Sequence, residues 1–198
     1  MNTTTFRRRL IRLRDFDYSE PGAYFVTICT QERKYLFGEI TDGGMRLNGL
    51  GKTVTECWNG IPRHFANVET DTFVVMPNHV RGIIMLTDTN VGAGFPRPLK
   101  NRTPHTKIPS CVVTEGEGTS PLRRCSLGQI VAYFKYQTTK RINEFRETPG
   151  IRVWQRNYYE HVIRNENELS KTRQYIQENP LKWDLDPENP KYEKHPIL

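Results

Sequence analysis

A histidine and an arginine two residues apart head an apolar, β-branched run. The stretch reads Phe73-Val74-Val75-Met76-Pro77-Asn78-His79-Val80-Arg81-Gly82-Ile83-Ile84-Met85-Leu86. Alternate side chains of a strand leave by the same face, so His79 and Arg81 should project together. Two histidines in that register, with an apolar residue between them, would clamp a divalent metal. Arg81 stands where the second would be. A guanidinium stays protonated and has no lone pair to give. Arg81 therefore cannot ligate a metal, and its charge opposes one beside His79.

Toward the C-terminus, Tyr175 and Asn179 lie four residues apart in a segment of helical pattern, so they share a helix face. A tyrosine hydroxyl, with a free pKa of about 10, is a poor nucleophile. It needs positioning, and a phosphate under attack needs its charge neutralised, as a metal can do. The amide oxygen of Asn179 is a suitable hard ligand for Mg2+ or Mn2+. Taken alone, a helical tyrosine is more often a packing aromatic, and an asparagine before Pro180 more often a plain helix end.

These side chains need a scaffold, and the pattern supplies one. Residues 22–30 are aromatic and β-branched and read as a central strand. Residues 35–40 and 45–47 form a hairpin about Asp42-Gly43-Gly44. Val54, Cys57, Trp58 and Ile61 recur at helical spacing, predicting a helix over 51–65. Strands follow over 70–76 and 80–86. The stretch 87–123 is rich in glycine and proline, without sustained periodicity, and reads as an insertion. His105 and Cys111 fall within it and receive no role.

Ser126 is an N-cap for a second helix. Leu127, Ile130, Val131, Phe134, Thr138, Ile142 and Phe145 make its core stripe. Lys135, Lys140 and Arg141 occupy its opposite face, where solvation and DNA contact are equally open. A last strand with an approach loop spans 153–164. Asn165 with Glu168 then caps a helix that Pro180 must stop near Asn179. The tail from Asp184, with three further prolines, is expected to pack poorly. The order predicts an α+β fold: a ferredoxin-like core with a mostly antiparallel sheet and two long helices. The chain divides into a basic arm (1–14), one domain (15–185) and a tail (186–198).

The 198 residues can hold one sizeable domain. The formal charge of +7 points to a polyanionic partner, nucleic acid being the commonest. Five arginines, Arg7, Arg8, Arg9, Arg12 and Arg14, crowd the N-terminus. Such an arm contacts phosphates rather than reading bases. No apolar run approaches the roughly 20 residues of a membrane span, and no secretory signal opens the chain, so a cytoplasmic protein is expected. Cys29, Cys57, Cys111 and Cys125 are scattered without zinc spacing and read as reduced thiols. His64 and His195 read as incidental, and His161 as a hydrogen-bonded strand residue. Trp154, Tyr158 and Tyr159 could stack on unpaired bases or pack inward.

Four ordered blocks carry a resemblance. They are Val75-Met76-Pro77-Asn78-His79-Val80 with Gly82-Ile83-Ile84, and Ser126-Leu127-Gly128-Gln129-Ile130-Val131 with Phe134-Lys135. Next come Trp154-Gln155-Arg156-Asn157-Tyr158-Tyr159-Glu160-His161, and Tyr175-Ile176 with Asn179-Pro180-Leu181-Lys182-Trp183. Together they span roughly residues 20–185. The chain resembles the REP-associated tyrosine transposases, relatives of the single-tyrosine, IS200-like HUH transposases. That resemblance implies a bacterial, nucleoid-associated enzyme on single-stranded DNA folded as a hairpin. It implies a tyrosine that attacks a backbone phosphate, forms a 5′-phosphotyrosine link and frees a 3′-OH for strand transfer. Residue by residue, Tyr175 matches the nucleophile, and His79 and Asn179 match ligands of Mg2+ or Mn2+. Arg81 falls at the second histidine's place.

Three outcomes of that substitution remain: a copy that binds DNA and cleaves poorly, a site where Arg81 itself neutralises the phosphate, or a site completed by another residue. The first is favoured. The rival from another class is a non-catalytic hairpin-DNA binder with a regulatory role. An RNA-binding module is weaker, since no RNP-like run is present. A homodimer is left open by the sequence.

Overall fold

Strand β1 (Gly22–Cys29) is the middle of the molecule: six of its eight side chains are buried, on alternating faces. A computed structural model describes residues 16–88 and 125–191. The arginines of the N-terminal arm lie outside the described residues, as does the insertion beyond Asp88.

A hairpin, β2 (Gly38–Thr41) and β3 (Gly44–Leu47), follows β1. Asp42 and Gly43 both take positive φ in its turn (51° and 72°), the backbone that a two-residue hairpin loop requires. Helix α1 (Gly49–Asn59) comes next, capped by the Asn48 side chain. The helix expected over 51–65 breaks at Gly60, and a short α2 (Ile61–His64) restarts it. Pro62 is the reason: it has no N–H for the carbonyl four residues back. Strands β4 (Val68–Val75) and β5 (His79–Leu86), helix α3 (Leu127–Arg146), strand β6 (Tyr159–Ile163) and helix α4 (Glu166–Gln177) complete the order.

The main sheet runs β4-β5-β1-β6 and every neighbouring pair is antiparallel. With α1 and α3 as the crossovers, this is a ferredoxin-like β-α-β-β-α-β core, as the sequence predicts. Helices α1 and α3 pack on one face, over Tyr24, Val26, Ile28, Val80 and Ile84. Helix α4 covers part of the other with Leu169 and Ile176, over Ala23, Phe25 and Ile83.

Gly82 shows how sequence fixes this packing. A Cβ there would sit 2.4 Å from the Trp58 ring and 2.8 Å from the Phe73 Cβ. Only glycine lets the buried Trp58 indole lie on the strand and stack on Phe73 at 5.5 Å.

Both predicted helix starts are as expected. Gln129 Oε1 accepts from the Ser126 N–H (2.9 Å). Asn165 Oδ1 accepts from the Glu168 N–H (2.9 Å) while Glu168 Oε2 accepts from that of Arg164 (2.8 Å).

Two packing expectations need correction. Phe145 is 73% exposed: it does not join the core stripe, and its ring rests near Gly49. The segment after Asp184 is not loose as far as Lys191. Trp183–Leu185 forms a 3-10 turn, and Asp186 and Asn189 beyond it are both buried. Asn189 accepts from the Tyr35 hydroxyl (2.7 Å) and donates to the Trp183 carbonyl (3.1 Å). Hydrophobicity could not foretell this, since polar pairing does the holding. Among the described residues, no helix is long and apolar enough to cross a membrane.

Candidate functional site

The face beneath α4 becomes polar at the β1–β5 end of the sheet. Register sets Cys29 opposite His79 and Thr27 opposite Arg81, so all four side chains share this face. Tyr175 approaches from α4, which ends at Gln177, two residues short of the end expected near Asn179, and Asn179 approaches from the turn just beyond it. The segment 183–191 then folds across as a strap.

Arg81 lies at the centre. Its guanidinium donates to Asn179 Oδ1 (2.8 Å). It also grips the Asp186 carboxylate with both terminal nitrogens, Nη1 to Oδ2 and Nη2 to Oδ1 (3.0 Å for the latter). The same guanidinium lies 5.2 Å from the centre of the Tyr175 ring. The residue is only 4% exposed, so the pair is desolvated. A bidentate carboxylate and an amide oxygen are what make such burial tolerable.

His79 is fully buried. Asn78 Nδ2 donates to the carbonyls of Glu188 (2.7 Å) and Arg33 (3.3 Å). Those bonds fix the Asn78 amide with its oxygen toward His79 Nδ1, 2.8 Å away. Nδ1 must then carry the proton, which leaves Nε2 as a lone pair. Burial first, and the Arg81 charge second, pull the imidazole down to about 3, so it is neutral at pH 7. Nε2 has no hydrogen-bond partner among the described residues and lies 3.8 Å from Asp186 Oδ2.

Tyr175 is 42% exposed, its ring edge-on to Phe25 at 6.1 Å. Desolvation pushes its hydroxyl up, and the pull of Arg81 is the smaller influence. The phenol is thus held in its protonated, weakly nucleophilic form.

The strap is fastened by further polar contacts. Glu188 accepts from Cys29 Sγ (3.2 Å) and pairs with Arg33 (2.9 Å). Burial, then Glu188, raise the Cys29 thiol to about 12, so it is inert as a nucleophile.

Could these residues hold a divalent metal? His79 Nε2 offers a ligand-ready lone pair. The other oxygens it would share the ion with, on Asn179 and Asp186, are engaged by Arg81. Among the described residues, no three His, Cys, Asp or Glu side chains converge as a metal set. A cation placed beside His79 would face a fixed guanidinium. With Arg81 in place, the residues do not fit Mg2+ or Mn2+.

The structure therefore brings together His79, Arg81, Tyr175 and Asn179, which the sequence singled out. It sets Lys135, Lys140 and Arg141 apart, on α3 beyond the other face. Lys135 is not the open surface cation expected. Its ammonium donates to the carbonyls of Gln155, Arg156 and Asn157 (3.0, 3.3 and 3.1 Å) and shapes the approach to β6. Arg141 is exposed and pairs with Glu56 at 3.4 Å. His161 points to Glu168 (2.5 Å), away from the site. Of the tyrosine pair, Tyr158 packs inward and Tyr159 is exposed, while Trp154 is buried.

Sequence reasoning missed Asp186, Asn78 and Glu188. A buried arginine implies a carboxylate partner, but nothing in the sequence selects one among 22 acidic residues.

Comparison with known proteins agrees with the fold. No family model matches the chain. One solved structure, of a REP-associated tyrosine transposase bound to a REP hairpin, superposes with a TM-score of 0.53 at 18% identity. The match covers 87% of this chain and 73% of that one. The α+β, mostly antiparallel fold described above thus resembles the fold of that structure. An uncharacterised protein of Haemophilus influenzae (strain KW20 / Rd) is 40% identical over 185 residues, covering 93% of this chain and 94% of that protein. The chain belongs to one family with that Haemophilus protein.

Proposed function

We propose that this protein binds single-stranded DNA folded as a hairpin, in the manner of the tyrosine transposases, and that Arg81 suppresses strand cleavage. The observation that carries the reading is the Arg81 guanidinium, bonded to Asn179 and Asp186 beside His79. Tyr175 keeps the nucleophile's place. It lacks a metal-charged partner for the phosphate, and desolvation disfavours its phenolate. The transposase fold, the net charge of +7 and the four sequence blocks support DNA as the ligand.

Arg81 is a poor substitute for the metal. Asp186 already neutralises it, and its terminal nitrogens are committed to protein oxygens. A scissile phosphate would have to displace a buried carboxylate to reach it.

The test is an assay for an SDS-stable protein–DNA adduct, on a hairpin with a single-stranded 5′ flank, in Mg2+ or Mn2+. The wild-type chain is expected to bind the hairpin and give no adduct above the Tyr175→Phe background. Arg81→His, which frees Asn179 and Asp186, is expected to give the adduct. Equal adduct formation by both chains would defeat the suppression. An Arg81→His chain as silent as the wild type would place the block elsewhere. No binding of the hairpin by the wild type would defeat the DNA reading itself.

A further inference from the structure

A groove of about 640 Å³ opens on the side of the molecule away from Tyr175, between the second half of α3 and residues 150–156. Four cations line it (Lys135, Lys140, Arg152 and Arg156) and no carboxylate does. Lys135 spends its ammonium on three carbonyls of the opposite wall, so it holds the groove's shape. The other three are exposed. Arg152 and Arg156 have no ion-pair partner among the described residues, and Lys140 reaches only Glu144, loosely, at 3.9 Å. Tyr136 lines the same groove and is partly exposed. Unpaired cations beside an accessible aromatic ring suit a sugar-phosphate backbone with a base near it.

The groove leads toward the tyrosine. Arg156 stands three residues before Tyr159, the first residue of edge strand β6. Tyr159 is exposed and packs its ring edge-on to Phe25 at 6.2 Å, and the Phe25 ring also lies edge-on to Tyr175 at 6.1 Å. DNA leaving the groove around the β6 edge would pass Arg156, then Tyr159, then Tyr175.

We propose that the groove between α3 and residues 150–156 binds the backbone of the DNA hairpin, with Lys140, Arg152 and Arg156 on its phosphates. This rests on the hairpin-DNA reading above.

The experiment uses the full chain and a fluorescent DNA hairpin with a single-stranded 5′ flank, titrated across salt concentration. Arg152→Ala with Arg156→Ala is expected to weaken binding at least tenfold. It should also reduce the slope of log affinity against log salt by about 2, one per lost phosphate contact. Arg46→Ala with Lys52→Ala removes equal charge from exposed sites elsewhere and is expected to change affinity less than twofold. Equal effects from both pairs would overturn the groove while leaving the DNA reading intact. Failure of the wild type to bind would overturn both. Tighter binding of the matching RNA hairpin, with the same loss on Arg152→Ala and Arg156→Ala, would overturn DNA as the occupant. Hydrogen exchange on the wild type, with and without the hairpin, decides the matter if the double variant misfolds. Protection of residues 150–156 is expected, and its absence overturns the proposal.

Discussion

The two faces of the central sheet are held by different physics. Under α1 and α3, Trp58, Phe134, Leu127 and Ile130 interdigitate with Tyr24, Val26 and Ile84. Such a face gains from area removed from water, roughly 25 cal/mol per Å² of apolar surface. Under α4 the apolar cluster is small, and the remainder is Arg81, Asp186, Asn179 and His79. That side depends on pairing, and a pair is stable only while both partners stand. One face should therefore tolerate no truncation, whereas the other should tolerate paired replacement.

The largest effects test that difference. Trp58→Ala should destabilise by about 3–5 kcal/mol in urea unfolding. Asp186→Leu should cost a similar ~3–5 kcal/mol, because it strands a buried guanidinium. The two losses part company on repair. Adding Arg81→Met to Asp186→Leu should bring stability back to within ~1 kcal/mol of the wild type, or above it. A double variant as unstable as the single one would show that the Arg81 side face is not held by pairing.

Lys135 is the exception on the apolar side. Lys135→Met leaves the carbonyls of residues 155–157 without their donor and should cost about 1–3 kcal/mol. Lys140→Met, on the same helix but exposed, should stay within ~0.5 kcal/mol. Equal melting of the two variants would return Lys135 to the solvated face that its charge first suggested.

The same division explains what the sequence could disclose. The α1/α3 face is written in periodicity: Val54, Cys57, Trp58 and Ile61 in one helix, Leu127, Ile130, Val131 and Phe134 in the other. Hydrophobic spacing predicts burial because burial is what apolar area does. The site was legible only where spacing also applied. His79 and Arg81 alternate along one strand, and Tyr175 and Asn179 lie one helical turn apart. Asp186 follows no period and sits in a proline-flanked segment that reads as tail. Its burial comes from a long-range charge partner, 105 residues away, and local pattern carries no trace of such a partner. Lys135 departs from a surface role for the same reason, since the carbonyls it serves belong to another segment.

A smaller effect concerns how α4 is fastened to the sheet. Arg173 grips Asp71 of β4, Nη2 to Oδ2 at 2.6 Å and Nε to Oδ2 at 3.1 Å. That bond, with hydrogen bonds from Thr72, holds the Asp71 carboxyl down at about 2. In the unfolded chain it returns to the ordinary value near 3.9. Between the two values the unfolded chain binds the proton first, so acid favours unfolding. The stability Asp71 contributes is thus complete above pH ~4 and disappears as pH falls through ~2. The gap in Tm between the wild type and Asp71→Asn should narrow over that window. A gap that stays constant down to pH 2 would remove the Asp71–Arg173 pair from the account.

The smallest effect belongs to the residue with the largest proposed consequence. Tyr175→Phe removes a hydroxyl from a ring that is nearly half exposed and keeps the ring against Phe25 and over Arg81. Stability should change by no more than ~0.5 kcal/mol. Hairpin affinity should also be unchanged, since the cations of the groove lie on the far side of the sheet. In the Arg81→His chain, by contrast, the same loss of one oxygen should abolish the covalent adduct, because the attacking atom is gone. A Tyr175→Phe chain that melts several degrees lower would mean that this hydroxyl holds the α4 face together, and that the tyrosine's place beside Arg81 is structural.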